Sequence, residues 1–107
     1  MFRAAVAAAS MIAMTMSGAS QPVEYRVGQK DRTFSAAILK IHAGDRIVFN
    51  NDDQITHNVF STAKGHEFNL RAQAPGTSAS TTFATTGIVE IRCAFHPKMK
   101  LVVTVER

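Results

Sequence analysis

Ile91-Arg92-Cys93-Ala94-Phe95-His96-Pro97-Lys98-Met99-Lys100 holds the only cysteine of the 107-residue chain. His96 follows Cys93 by three residues, and Met99 follows His96 by three. A thiolate, an imidazole and a thioether therefore share one short loop, and soft donors of this kind favour copper over magnesium or calcium. Upstream, Val89, Ile91 and Cys93 fall on one face while Glu90 and Arg92 fall on the other. That period of two is a half-buried strand, with Cys93 at its inward-facing end. Downstream, Leu101, Val103 and Val105 alternate in the same way. The loop thus closes one strand and opens the next. It lacks a second imidazole, for which His57, far upstream, is the candidate.

The methionines sharpen the reading. Four of the five, Met1, Met11, Met14 and Met16, lie in the first sixteen residues. Arg3 gives that segment a positive charge, Ala4 to Met16 carries none, and Ser17-Gly18-Ala19 ends it with small residues. This is the pattern of a secretory signal peptide, with cleavage expected after Ala19 or Ser20. The apolar run is short of the roughly twenty residues a membrane span needs. Residues 1–19 are therefore expected to be a cleaved leader and 20–107 a single domain. Met99 would then be the only methionine of the mature chain. Met is often a mere gap-filler and a buried Cys is often inert. A lone Cys and a lone Met bracketing a His argue against both bland readings.

A domain this small often leans on disulfides when secreted, and one cysteine cannot form an internal one. In an oxidising compartment an unoccupied thiol is a liability; metal ligation would occupy it and stabilise the folded state. The formal charge is +4, or +3 without Arg3. The cations are scattered, without a basic stripe or interleaved aromatics, which excludes nucleic-acid binding.

From Pro22 onward short strands follow one another. Val23, Tyr25 and Val27 alternate with polar residues. Phe34 to Ile41 is apolar and β-rich toward its end, and Arg46 to Asn50 places Ile47 and Phe49 on one face. Asn58 to Ser61 forms a short strand directly after His57, and Thr81 to Ala84 another before a turn at Thr86-Gly87. Ala43-Gly44-Asp45 and Asn51-Asp52-Asp53 are turns. Ala63 to Ala79 has no clear period and reads as loop with one helical turn. About seven short strands and no amphipathic helix after the leader predict an all-β sandwich.

Several stretches carry a family resemblance. They are Ala43 to Asp52 (AGDRIVFNND), His57-Asn58-Val59, Pro75-Gly76, Gly87 to Cys93 (GIVEIRC) and the Cys-x-x-His-x-x-Met loop from Cys93 to Met99. Together they make the chain similar to the cupredoxins, the plastocyanin and amicyanin type in particular, and the short loop with Pro97 after the His most resembles amicyanin. The resemblance covers nearly all of residues 20–107. It implies a Greek-key β-sandwich holding one type 1 copper ion through His57, Cys93, His96 and Met99. Cys93 would bind as thiolate, His57 and His96 as neutral imidazoles, and Met99 as a weak axial ligand that tunes the potential. It also implies that Asn58 ties the ligand loops together. Members often have Ser or Thr after the Cys. Ala94 has no hydroxyl, so contacts through backbone groups alone are expected there.

The function expected is that of a soluble, monomeric, periplasmic one-electron carrier. Its donor and acceptor would dock near His96, where Phe95 and Pro97 offer an apolar collar and Lys98 and Lys100 can steer an acidic partner. A periplasmic copper-trafficking module of the same fold is the alternative. An enzyme is not expected. No nucleophile is paired with an oriented base, all four metal positions are filled by protein, and a dinuclear copper site would need a second cysteine. His42, at a strand end, reads as a surface or packing residue, and His66 as a solvated loop residue or an auxiliary copper contact.

Overall fold

The structure is a computed structural model describing residues 21–107; the expected leader lies outside the described residues. Nine strands are present among them: β1 (Glu24–Lys30), β2 (Thr33–Phe34), β3 (Ile38–His42), β4 (Arg46–Asn51), β5 (His57–Ser61), β6 (Phe68–Gln73), β7 (Ser78–Thr82), β8 (Gly87–Arg92) and β9 (Lys100–Glu106). They form two sheets, one ordered β3-β9-β8-β5-β6 and the other β2-β1-β4-β7. The pairs β3–β9 and β1–β4 are parallel and the others antiparallel. The expected all-β sandwich is what the chain forms. Among the described residues no helix is long and apolar enough to cross a membrane.

The alternating residues pack between the sheets as the period of two requires. Val89, Ile91 and Cys93 from the end of one strand meet Leu101, Val103 and Val105 from the next, and all six are buried. Ile47, Phe49 and Val27 close the core from the other sheet. Truncating one of these large aliphatic residues to Ala should cost about 2–5 kcal/mol.

Turns follow from local chemistry. Gly44 takes φ +98° between β3 and β4, a conformation glycine adopts without Cβ strain. The buried Asp45 beside it accepts the N–H groups of Val23 and His42, each at 2.8 Å. Those two bonds hold its carboxyl below the usual carboxylate range, against the opposing effect of burial.

The stretch 63–79 departs from expectation: it contains β6 and the start of β7 rather than a loop with a helical turn. Phe68 and Leu70 alternate with exposed Asn69 and Arg71, but the alternation then breaks, Ala72 being exposed and Gln73 buried. The cause is a bulge. Asn58 pairs with Ala72 and Phe60 with Asn69, so β6 spends one more residue than β5 over the same span. Arg71 lies there at φ +67°. The apolar run 34–41 is likewise interrupted, giving β2 and β3, and Gly87 opens β8 instead of forming a turn.

Candidate metal centre

β5 opens with His57, and the loop after β8 opens with Cys93, so the pairing of these strands brings together residues 36 positions apart. The Nδ1 atom of His57 lies 3.9 Å from the Cys93 sulfur. The Nδ1 atom of His96, three residues further on, lies 3.8 Å from it. One ligating atom from each of His57, Cys93 and His96 falls within 4.8 Å of the others. The two rings meet edge to face, with centroids 4.9 Å apart.

These separations fit a bound metal. A sulfur at about 2.3 Å and a nitrogen at about 2.0–2.1 Å from one ion, spread by trigonal angles, are about 3.8 Å apart. One thiolate and two imidazoles in a trigonal set, with a weak axial donor, are suited to copper. Met99, the fourth donor expected from the sequence, ends the same loop. It is buried at 2% exposure, and its backbone N–H donates to the His96 carbonyl at 2.9 Å, closing a turn over the second half of the loop.

His57 is fully buried, and its other nitrogen, Nε2, lies 2.8 Å from the Asp53 carboxylate. A carboxylate accepts only, so Nε2 carries the hydrogen and Nδ1 presents a lone pair to the metal position. Asp53 is itself held. The Arg32 N–H donates to it at 3.0 Å and the Gln54 N–H at 3.2 Å. The Arg32 bond is the largest cause of its pKa lying well below the usual carboxylate range, followed by the His57 ring, with burial opposing. Arg32 shares the β1–β2 turn with Asp31, at φ +56° and +53°. Non-glycine residues adopt this conformation at a cost, and here it aims an amide at the residue behind a ligand. Asn51 frames the same loop. Its amide donates to the carbonyls of Ile55 (2.8 Å) and Gln73 (2.9 Å), and its oxygen accepts the Asp53 N–H at 2.9 Å. From the sequence, Asp53 reads only as turn material. Its spacing of four from His57 was the available signal.

Asn58 joins the two ligand segments. Its backbone N–H donates to the Cys93 sulfur at 3.3 Å. Its side-chain oxygen accepts the Ala94 N–H at 3.1 Å, so the contact at Ala94 is not confined to backbone groups as expected. The missing hydroxyl is replaced by a backbone amide on one side and by the bulge on the other. The Asn58 amide donates to Asn69 Oδ1 at 2.9 Å and to the Arg71 carbonyl at 3.2 Å.

The other two histidines stand apart. His42 is exposed at the end of β3. His66 is half-buried, its Nε2 3.0 Å from the Thr85 carbonyl and its ring against Gly87, where a Cβ would come within 2.8 Å of it. Gly87 opens β8 and Cys93 follows its other end, six residues or about 20 Å along a strand. His66 is therefore not an auxiliary metal contact.

Comparison with known proteins agrees with this geometry. Residues 21–106 match the family described as copper binding proteins, plastocyanin/azurin family. The methylamine utilization protein MauL of Methylorubrum extorquens is 36% identical over 64 residues, 59% of this chain and 56% of that protein. The chain thus matches little more than half the length of this curated relative. Among solved structures, a purple cupredoxin from Nitrosopumilus maritimus superposes with a TM-score of 0.68 at 24% identity, over 77% of this chain and 99% of that one. A variant amicyanin in its reduced Cu(I) form gives 0.72 at 22% identity, over 84% and 87%.

Proposed function

The chain belongs to the copper binding proteins of the plastocyanin/azurin family, and on that footing we propose that it is a type 1, blue copper protein carrying single electrons between redox partners. The observation that supports this most is the convergence of the His57 and His96 Nδ1 atoms on the Cys93 sulfur, at 3.9 and 3.8 Å. In this reading His57, Cys93 and His96 would hold the copper, and Met99 would serve as a weak fourth donor.

Copper, when bound, supplies a one-electron couple between Cu(II) and Cu(I). The chain's own residues fix the conditions for that couple. Asp53 holds the His57 ring in one tautomer, and Asn58 directs an N–H at the thiolate, a bond that tunes its donor strength. With donors already positioned, a change of redox state asks for little rearrangement. His96 is the half-buried ligand, flanked by Phe95 (53% exposed) and by exposed Pro97. Donor and acceptor dock on this edge in our reading, and exposed Lys98 and Lys100 favour an acidic partner surface. The carrier acts as a periplasmic monomer, and it is a carrier rather than a catalyst because protein donors fill the metal positions.

Adding Cu(II) to the purified protein tests the proposal. A blue solution with an intense thiolate-to-copper band and a reversible one-electron wave is expected. Cys93→Ser should abolish the band. A colourless, weakly held adduct of the unsubstituted protein rejects the assignment. Release of copper to small chelators faster than electron exchange would favour the trafficking alternative.

A further inference from the structure

The segment from Cys93 to Met99 carries three of the four expected donors, yet Asn58 reaches only its beginning, at Cys93 and Ala94. Its second half has another partner. Arg92, the last residue of β8, donates from one guanidinium nitrogen to the Glu90 carboxylate and from the other to the Pro97 carbonyl. We propose that Arg92 is a positioning residue for the ligand loop: a guanidinium steadied by Glu90 clamps Pro97, between His96 and Met99, to the outer face of β8. The proposal rests on the copper reading of this loop, but its first test does not need copper.

The residue types suit the task. Ile91 and Cys93 point inward, so Arg92 and Glu90 share the outer face of the sheet. Across the neighbouring strands Arg92 stands opposite Lys100 on β9 and Phe60 on β5. A cation directly opposite Lys100 is unfavourable, and Glu90 offsets that. Pro97 has no N–H, so its carbonyl is its only backbone handle. Arginine's planar fork offers donors on separate nitrogens to two acceptors at once, which a lysine ammonium does less well. Both side chains are partly exposed, at 36% and 50%, so the ion pair adds little to global stability. The effect belongs in loop geometry.

The first readout is the rate at which a chromogenic aromatic disulfide reacts with the buried Cys93 thiol of the metal-free protein. Arg92→Met keeps the stem and removes the clamp, and should raise that rate about tenfold, with Arg92→Lys intermediate. The denaturant midpoint should stay near that of the unsubstituted protein. The second readout is copper retention against a Cu(I) chelator such as bicinchoninate. It should fall about tenfold in Arg92→Met, the order seen when residues supporting metal ligands are removed, with a shifted visible spectrum. Arg26→Met, on the other sheet, and Val103→Ala, in the core, are controls. Thiol reactivity and copper retention within twofold of the unsubstituted protein would overturn the clamp. So would a reactivity that tracks global stability as Val103→Ala does, or that Arg92→Lys fails to reduce. If the unsubstituted protein never turns blue, the electron-carrier reading falls, while the thiol comparison still judges Arg92.

Discussion

His57 and His96 turn the same ring atom toward the same sulfur, at nearly equal distances, from unlike surroundings. His57 begins a strand, is fully buried, and has its far nitrogen fixed by Asp53. Asp53 is fixed in turn by a strained turn from the opposite sheet. His96 sits on a loop, is half-buried, and among the described residues no protein hydrogen bond holds its far nitrogen. One half of the site is built for constancy and the other for access. The carrier role proposed above calls for both, because the metal would have to stay in a fixed field while one edge remains open to partners.

The largest effect should come from loosening the constant half. Asp53→Asn can still meet the His57 nitrogen through its carbonyl, but it loses the charge and one acceptor. Copper affinity should fall about 10- to 100-fold, the range typical when a partner behind a ligating histidine is removed. Phe95→Ala, on the accessible half, should leave affinity unchanged and slow exchange with a protein partner. Equal losses of affinity in the two variants would erase the distinction between the halves.

The accessible half was legible in the sequence and the braces of the constant half were not, for a physical reason. Cys93, His96 and Met99 lie close along the chain, and the flanking alternation of Val89, Ile91, Leu101 and Val103 is strict, because both strands are buried on one face. His57 was found as the missing donor. The residues that hold it come from two separate segments: Arg32 on the β1–β2 turn, and Asn51 and Asp53 at and just after the end of β4. Only the sandwich brings Arg32 to the other two, and two of their contacts run through backbone N–H groups that no side-chain pattern encodes. The bulge in β6 misled in the same way. One extra residue at Arg71 moved the buried position from Ala72 to Gln73, and a stretch read by alternation alone then passes for a loop.

Cutting the link between the halves should have an intermediate effect. Asn58→Ala removes the acceptor for Ala94 N–H and the donor to Asn69 and Arg71, while leaving the backbone bond to the Cys93 sulfur. Stranding buried polar groups costs about 1–3 kcal/mol, so a drop of that size in the free energy of unfolding is expected. The visible band should persist with a changed intensity. A variant as stable as the unsubstituted protein would mean that Asn58 does not join the halves.

Asp45 and Asp53 offer the finest comparison, since the same device appears at both. Each is a carboxylate that ties a distant backbone amide to a local one, and only Asp53 also touches a metal-site histidine. The pKa of Asp45 is lowered on folding by the Val23 and His42 amides, so the native state favours the ionised form. Its contribution is therefore present above the unfolded value of about 3.9 and is lost as pH falls through the lower folded value. Asp45→Asn should destabilise the metal-free protein modestly at neutral pH and make its stability less sensitive to acid between pH 6 and pH 3. Copper affinity should be untouched, in contrast to Asp53→Asn. Urea midpoints across that range and one copper titration decide it. If Asp45→Asn weakens copper binding as much as Asp53→Asn does, the brace on His57 works through general stability and not through the ring it touches.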